Sequence, residues 1–325
     1  MVNSESVTPK VKLSIETIMK RASKALRPLT WISFLLPALI VYFVFMALPL
    51  VGSLKLSLYS GNGIIENTFV GLGNFRTLFG EPLWFGKLIN AIRNTLILLM
   101  VHIVFQNGLG LFFAVLLTRI KKGFSFLRTA IFLPATLSVL IVGFLWRLIL
   151  NPQWGAVPSL LNSIGLESWV KPWLGDPKFA MVTISLVSSW QWIGMPTMLF
   201  LAALLGIPEE LLDAAKVDGA SSWKTFWLIK LPLIAPVIGI YTIMTFMSNF
   251  TAFDIIYSME SSRGDPLGAT DIMGTFFYRT GIGGEPFTGL VIPGLGAAIA
   301  VVIFVILLFG VIAWLYLTRK QEYEQ

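Results

Sequence analysis

Residues 213–219 read Asp213-Ala214-Ala215-Lys216-Val217-Asp218-Gly219; nine residues follow, and then comes Ile229-Lys230-Leu231-Pro232. The stretch lies between two strongly apolar runs, so its reading decides how the chain is threaded. Pro208 suits the first turn of a helix, where a missing N–H is no loss, and Glu209 and Glu210 sit favourably at the positive end of the dipole. Leu211, Leu212, Ala214, Ala215 and Val217 make one side apolar, and the two alanines let another backbone come close. Gly219 then ends the helix, because glycine readily takes the left-handed conformation that helix ends require. Ser221 or Ser222 caps a second short helix through Trp223, Phe226, Trp227 and Ile229, and Pro232 sets the turn into the next apolar run. The expected product is two short helices meeting at a bend, with a small-residue knob exposed for docking into a partner's cleft. A well-capped connector with no partner would have the same shape.

Outward from this loop, the composition is that of a membrane protein: 56% of residues are hydrophobic and 13% charged. Several runs are long enough to cross about 30 Å of hydrocarbon. Six transmembrane spans are expected in an all-α, polytopic chain: Trp31 to Ser53, Asn94 to Thr118, Thr129 to Leu150, Ala180 to Leu205, Leu233 to Tyr257, and Leu290 to Leu317. The domain plan is a basic N-terminal tail (residues 1–30), one membrane domain (31–317) containing the loop 206–232, and a C-terminal tail (318–325). The first span follows a basic segment but is too long for a signal-peptide core and lacks a small-residue cleavage site, so it is expected to stay as an anchor. Residues 54–93 and 258–289 form two long loops of the kind that often carry function.

Lysine and arginine decide the orientation. Fifteen of them fall in the N-terminal tail, the loop after the second span, the 206–232 loop and the C-terminus, against 8 in the other three loops. The basic set is expected to face the cytoplasm, with both termini there. The net charge of +7 is then mostly an orientation signal, and no nucleic-acid partner is expected, since the bases lie beside spans with no reading motif. The absence of cysteine removes disulfides and thiolate metal sites.

The spacing Asp213-Ala214-Ala215, three residues, Gly219, nine residues, Ile229-x-Leu231-Pro232 resembles the EAA loop of ABC importer permeases, with Asp213 where that family has Glu. Ile207-Pro208-Glu209-Glu210-Leu211 before it and Asp218-Gly219-Ala220-Ser221 within it resemble the carbohydrate-type, maltose-transporter-like branch. Arg93-Asn94-Thr95, Phe132-Leu133-Pro134 and Phe253-Asp254 extend the resemblance more weakly along the chain. It implies a permease subunit of a bacterial ABC importer in the cell (inner) membrane. That subunit would pair with a second permease of similar fold, two ATPase subunits holding ATP and Mg, and an extracytoplasmic solute-binding protein that the two long loops would meet. It also implies that Asp213, Ala214, Ala215, Asp218, Gly219, Ile229, Leu231 and Pro232 couple the chain to the ATPase. The leading residue of the motif pairs there with a base on the ATPase, a reach that Asp213 makes one methylene shorter.

No enzyme chemistry is visible, and no metal site is expected. The single histidine, His102, lies inside the second span, so neither a Ser–His dyad nor a His–metal pair can be built. Gly-Lys-Ser/Thr occurs nowhere in the P-loop spacing, so no cofactor is expected on this chain. If ATP drives transport, the motor is another subunit.

Polar side chains are costly in hydrocarbon and are expected to face a bundle interior or cavity. In the fifth span Thr242, Thr245, Asn249 and Ala252 share a helical face, with Ser248 adjoining. His102 and Gln106 stand four residues apart in the second, and the fourth offers Ser185, Ser188, Ser189, Trp190, Gln191 and Trp192. Counted to the span end at Tyr257, Asn249 is about 12 Å deep at helical rise. Uncharged hydrogen-bonding groups beside indole rings suit a neutral polyhydroxyl solute. The candidates for a carbohydrate path are Asn249, Ser248, Thr245, Trp190, Gln191 and Gln106; the same residue types also hold membrane helices together. The competing readings are an ABC permease for a polyamine or anion and an ion-coupled secondary transporter. A polyamine path would carry carboxylates in mid-span, and the spans hold none deeper than Asp254; the secondary transporter would carry intramembrane ionisable groups and repeated halves.

Overall fold

The computed structural model describes residues 34–61, 68–285 and 289–319; the expected tail 1–30 and all of 318–325 beyond Arg319 lie outside them. The chain divides into two compact units, residues 1–55 and 56–325. In the first, helix α1 (Phe34–Leu56) is strongly apolar up to Ser53 and Lys55 near its end and is long enough to cross a membrane.

The second unit opens with a two-residue ribbon in which β1 (Tyr59–Ser60) pairs antiparallel with β2 (Thr68–Phe69). Helices α2 (Gly73–Gly80) and α3 (Pro82–Leu117) follow. Helix α3 starts a full three turns before the expected Asn94, with Pro82 in its first turn. Asn94 does not interrupt it, because its buried amide donates to the Gly268 and Asp271 carbonyls at 3.1 and 2.9 Å.

The expected third span is not one helix. It divides into α4 (Phe124–Thr136) and α5 (Val139–Ile149), bent by 96°. Pro134 lies in the short 3₁₀ turn that ends α4, and Leu137 and Ser138 are extended. The bend takes the Leu137 carbonyl out of the helical ladder, where the Gln191 amide donates to it at 3.0 Å.

After α6 (Ala156–Ser163), the expected fourth span is divided at Ile193 into α7 (Ala180–Trp192) and α8 (Gly194–Leu205). Pro196 explains the seam, since it has no N–H to return to the preceding turn. Four helices are long and apolar enough to cross a membrane among the described residues, or five if α4 and α5 count as one span.

Helix α9 (Glu209–Val217) is followed by α10 (Ser222–Phe250). The second short helix of the loop does not end at Pro232. It continues as α10, because Pro232 falls in a position without disrupting the winding, and a wider-wound segment, Phe226–Lys230, precedes it. The 29 residues of α10 span about 43 Å at helical rise, well beyond the hydrocarbon thickness. The helix ends at Phe250, earlier than the expected Tyr257, and α11 (Asp254–Glu260), α12 (Met273–Tyr278) and α13 (Pro293–Arg319) complete the unit.

Three apolar clusters hold the helices. Leu98, Val142, Ile184, Ile256 and Met259 join α3, α5, α7 and α11. Leu78, Leu88, Phe276 and Leu295 join α2, α3, α12 and α13. Ala114, Phe200, Leu204 and Ile234 join α3, α8 and α10. Lipid tails are as apolar as these side chains, so association depends on close packing rather than on removal from water. Gly110 of α3 shows how close: a Cβ there would stand 2.8 Å from Pro196 Cγ on α8.

Candidate functional site

Between the first and third clusters lies a cavity of about 480 Å³, within the range that holds a small ligand. Its wall comes chiefly from four helices. Helix α3 widens into a π-type turn at His102–Asn107, a feature common at functional sites, and this turn buries His102, Gln106 and Asn107 in the bundle. Across from it, Tyr241, Thr245, Ser248 and Asn249 of α10 reach the cavity, and Ser188, Trp192 and Met195 come from α7 and α8. Gln106 donates to the Tyr241 hydroxyl at 3.1 Å and Asn107 to Thr245 Oγ1 at 3.3 Å. These bonds fix the register of α3 against α10. Asn249 Nδ2 donates to the Thr245 carbonyl at 2.6 Å, one turn back on its own helix, while its buried Oδ1, beside the His102 ring, has no well-formed hydrogen bond among the described residues. Ser248 donates to the same carbonyl at 3.0 Å. Asp254 is the one charged side chain on the wall.

Four of the six expected path residues, Asn249, Ser248, Thr245 and Gln106, therefore meet at one cavity. Trp190 and Gln191 do not. Trp190 packs edge-on against Trp146 with centroids 5.4 Å apart and faces a separate apolar pocket with Phe105, Leu109 and Ile131. Gln191 is fully buried at the α4–α5 bend. The tryptophan on the cavity is Trp192, one helical turn beyond Ser188. Thr242 also faces elsewhere, bonding back to the Ile238 carbonyl at 2.8 Å; Tyr241 takes its place. Spacing could have found Tyr241, which stands four and eight residues before Thr245 and Asn249. Because α10 ends at Phe250, Asn249 is in its last turn rather than at the depth counted from Tyr257.

The 206–232 loop forms a compact exposed end. Pro208 stands just before α9 rather than within it. Gly219 has φ +73°, and the bonds from Gly219 N–H to the Lys216 carbonyl and from Ala220 N–H to the Ala215 carbonyl are those of a Schellman cap. Ser221 Oγ accepts from the Lys224 N–H at 3.4 Å and starts the next helix. Ala215 is buried and Leu212 packs on the third apolar cluster, which anchors α9. Val217, at 88% exposed, stands out in solvent with Ala214, Trp223 and Leu228. Asp213 and Asp218 are exposed, Ile229 and Leu231 half-buried, and Pro232 exposed. Within the chain Asp213 pairs with Lys216 at 2.7 Å.

A charge network that sequence reading missed ties the start of α3 to the 258–289 segment. Arg279 makes a two-pronged bond to buried Asp271, at 2.9 and 2.7 Å, and its Nε reaches Glu285 at 3.4 Å. Lys87 closes the chain of charges on Glu285 at 2.8 Å. Nearby, burial pushes the Glu260 carboxyl up to about 7, with Arg147 opposing and Asp265 adding to the rise. Among the described residues no ion pair joins Arg147 to Asp254, and no group of three or more His, Asp or Glu could hold a metal ion.

Long apolar helices around a cavity whose wall is polar with one carboxylate, together with a helical knob exposed in one connecting loop, suit a membrane permease. Residues 106–320 match the family described as the inner membrane component of binding-protein-dependent transport systems, and the chain belongs to that family. It is 33% identical over 278 residues to the probable ABC transporter permease YurN of Bacillus subtilis, covering 85% of this chain and 91% of the relative. It is 31% identical over 290 residues to the lactose transport system permease LacF of Rhizobium radiobacter, covering 89% and 93%. Its fold is similar to a chain in the crystal structure of a bacterial alginate ABC transporter in complex with an alginate pentasaccharide-bound periplasmic protein, with TM-score 0.77, 24% identity and coverage of 92% and 98%. The chain is thus a multi-pass ABC importer permease, a transport component and not itself an enzyme.

Proposed function

We propose that this permease conducts a neutral carbohydrate across a bacterial inner membrane by alternating access driven by separate ATPase subunits. The observation that carries the reading is the cavity wall: hydroxyls and amides of Gln106, Ser188, Thr245, Ser248 and Asn249 beside Trp192 and Tyr241, with no lysine or arginine and a single carboxylate, the exposed Asp254. Hydroxyl groups pair with amides, and the apolar faces of sugar rings lie on aromatic side chains. The alginate importer that shares the fold handles an acidic polysaccharide; a wall without a cation suits a neutral one. The lactose assignment of a relative supports the same solute class.

The remaining partners follow from the loop and the charge distribution. A second permease completes the channel, a solute-binding protein delivers to the face bearing residues 54–93 and 258–289, and two ATPases carrying ATP and Mg dock on the cytoplasmic loop 206–232. Both termini lie on that cytoplasmic side. Closure of the ATPases draws on Asp213, Ala214, Ala215, Asp218 and Gly219, with Ile229, Leu231 and Pro232 passing the movement into α10, whose other end carries Asn249. Asp213 exchanges its Lys216 partner for a base on the ATPase. The test is reconstitution of the copurified complex in proteoliposomes with its binding protein. Stimulation of ATP hydrolysis and uptake by a neutral oligosaccharide supports the reading; stimulation only by a polyamine or an anion refutes it.

A further inference from the structure

We propose that an anionic phospholipid occupies the groove between α4 and α8, with its phosphate on Arg128 and an acyl chain between the two helices. The groove encloses about 520 Å³. One side is Phe124, Arg128 and Phe132 of α4; the other is Met198, Leu201 and Leu205 of α8. Spacings of three and four put each set in a stripe along one helix face. Leu201 is the buried floor, while Phe124, Phe132 and Met198 are half-buried and Leu205 is exposed. From Met198 to Leu205 the stripe runs about 10 Å at helical rise, an elongated apolar slot of the shape a hydrocarbon chain fills. Arg128 is the one charged side chain on it. Its guanidinium stands 5.9 Å from the centre of the Phe124 ring, and among the described residues no carboxylate pairs with it.

Charge decides which lipid. Arg119, Lys121 and Lys122, all exposed, come just before α4, and the sequence has no Asp or Glu between Glu81 and Glu167. Glu209 and Glu210 follow α8 but form no ion pair with these bases among the described residues. Such a cluster beside a membrane attracts anionic headgroups, and a guanidinium holds a phosphate through paired N–H bonds. A zwitterionic lipid offers the same phosphate but brings its own cation, so the basic mouth favours a lipid of net negative charge. The apolar pocket of Phe105, Leu109, Ile131 and Trp190 has no charged residue and therefore no such preference. The groove also adjoins the 206–232 loop. Leu205 ends α8 and leads through Gly206 into Ile207, and Phe124 and Leu127 pack on the same apolar cluster as Ile207 and Leu212. A chain lodged between α4 and α8 thus braces the root of that loop, whatever solute the permease carries.

The test places the copurified complex in nanodiscs of phosphatidylcholine, alone or mixed with phosphatidylglycerol, with a trace of either lipid carrying a photoreactive acyl chain; crosslinks are mapped by mass spectrometry. The phosphatidylglycerol probe is expected to label Phe132, Met198 or Leu205 and to be displaced by unlabelled phosphatidylglycerol but not by phosphatidylcholine. Arg128→Gln is expected to lower that labelling about fivefold, the loss of one base beside an anionic headgroup, and Arg128→Lys to keep most of it. Ala202→Trp, also on the groove, keeps every base but fills the slot; it is expected to abolish the labelling while the partner subunits copurify as before. The rate of ATP hydrolysis is expected to follow the labelling across these variants. Equal labelling by the two probes marks an ordinary lipid shell and overturns the inference, as does labelling unchanged in Arg128→Gln. Crosslinks from the groove to another subunit in place of lipid overturn it too and make the groove a subunit interface, and a hydrolysis rate indifferent to the lipid overturns the bracing of the loop.

Discussion

Replacing Asn249 by leucine separates stability from transport. The side chain donates from Nδ2 to the Thr245 carbonyl at 2.6 Å, and its buried Oδ1, beside the His102 ring, has no well-formed hydrogen bond among the described residues. The bond contributes about 0.5–1.5 kcal/mol net, whereas an unsatisfied buried acceptor costs about 1–3 kcal/mol. Leucine of similar volume removes both, so the complex is expected to be unchanged or stabilised by up to about 2 kcal/mol. Uptake is affected in the opposite sense. A solute hydroxyl that bonded Oδ1 now loses its partner, at about 1–3 kcal/mol, which is roughly a 5- to 150-fold loss at 1.4 kcal/mol per decade. The assay is uptake per assembled transporter in proteoliposomes, with melting of the same preparation followed by tryptophan fluorescence. A variant that melts well below the unmodified complex, yet transports normally per assembled unit, would refute the reasoning and make Asn249 a helix-packing residue.

Gly219 at φ +73° has open space where a Cβ would point, so a substitution there strains the backbone without a clash inside the chain. Gly219→Asn, which tolerates the left-handed region, is expected to keep coupling, while Gly219→Val pays about 1–2 kcal/mol or more and loosens ATPase attachment, read by copurification; equal recovery of ATPase with both variants would count against the loop. Arg279→Met leaves Asp271 buried without its partner and is expected to destabilise the protein by about 3–5 kcal/mol, largely restored in the double variant with Asp271→Leu; thermal melts of the three proteins check this. Glu260, held up to about 7 by burial, favours the fold most while it stays protonated. Its contribution is complete below the ordinary carboxylate value of 4.5 and is lost as pH rises through about 7. The melting temperature is therefore expected to fall between pH 5 and pH 8, and Glu260→Gln to flatten that part of the profile.

Local physics made much of this protein legible in one dimension. Helix α13 begins three residues after the expected span, and α1 has the expected apolar character, because an uninterrupted apolar run has few other ways to satisfy its backbone in lipid. The left-handed turn at Gly219 was readable because a helix end is decided within about six residues, whereas the split of the apolar side of α9 into buried Ala215 and half-buried Leu212 against exposed Leu211, Ala214 and Val217 was not. Thr245, Ser248 and Asn249 were readable as one cavity-facing set because helical periodicity fixes which residues share a face. Which neighbour that face meets is a different question. Trp190 and Gln191 have the same chemistry as the residues that line the cavity, but the 96° bend between α4 and α5 turned Gln191 to the Leu137 carbonyl and left Trp190 on Trp146. Lys87 and Glu285 are 198 positions apart, and no periodicity relates them. Tertiary structure alone decided these, because the partner of a buried polar group is set by which helices pack together, and packing is a property of the whole bundle rather than of any segment.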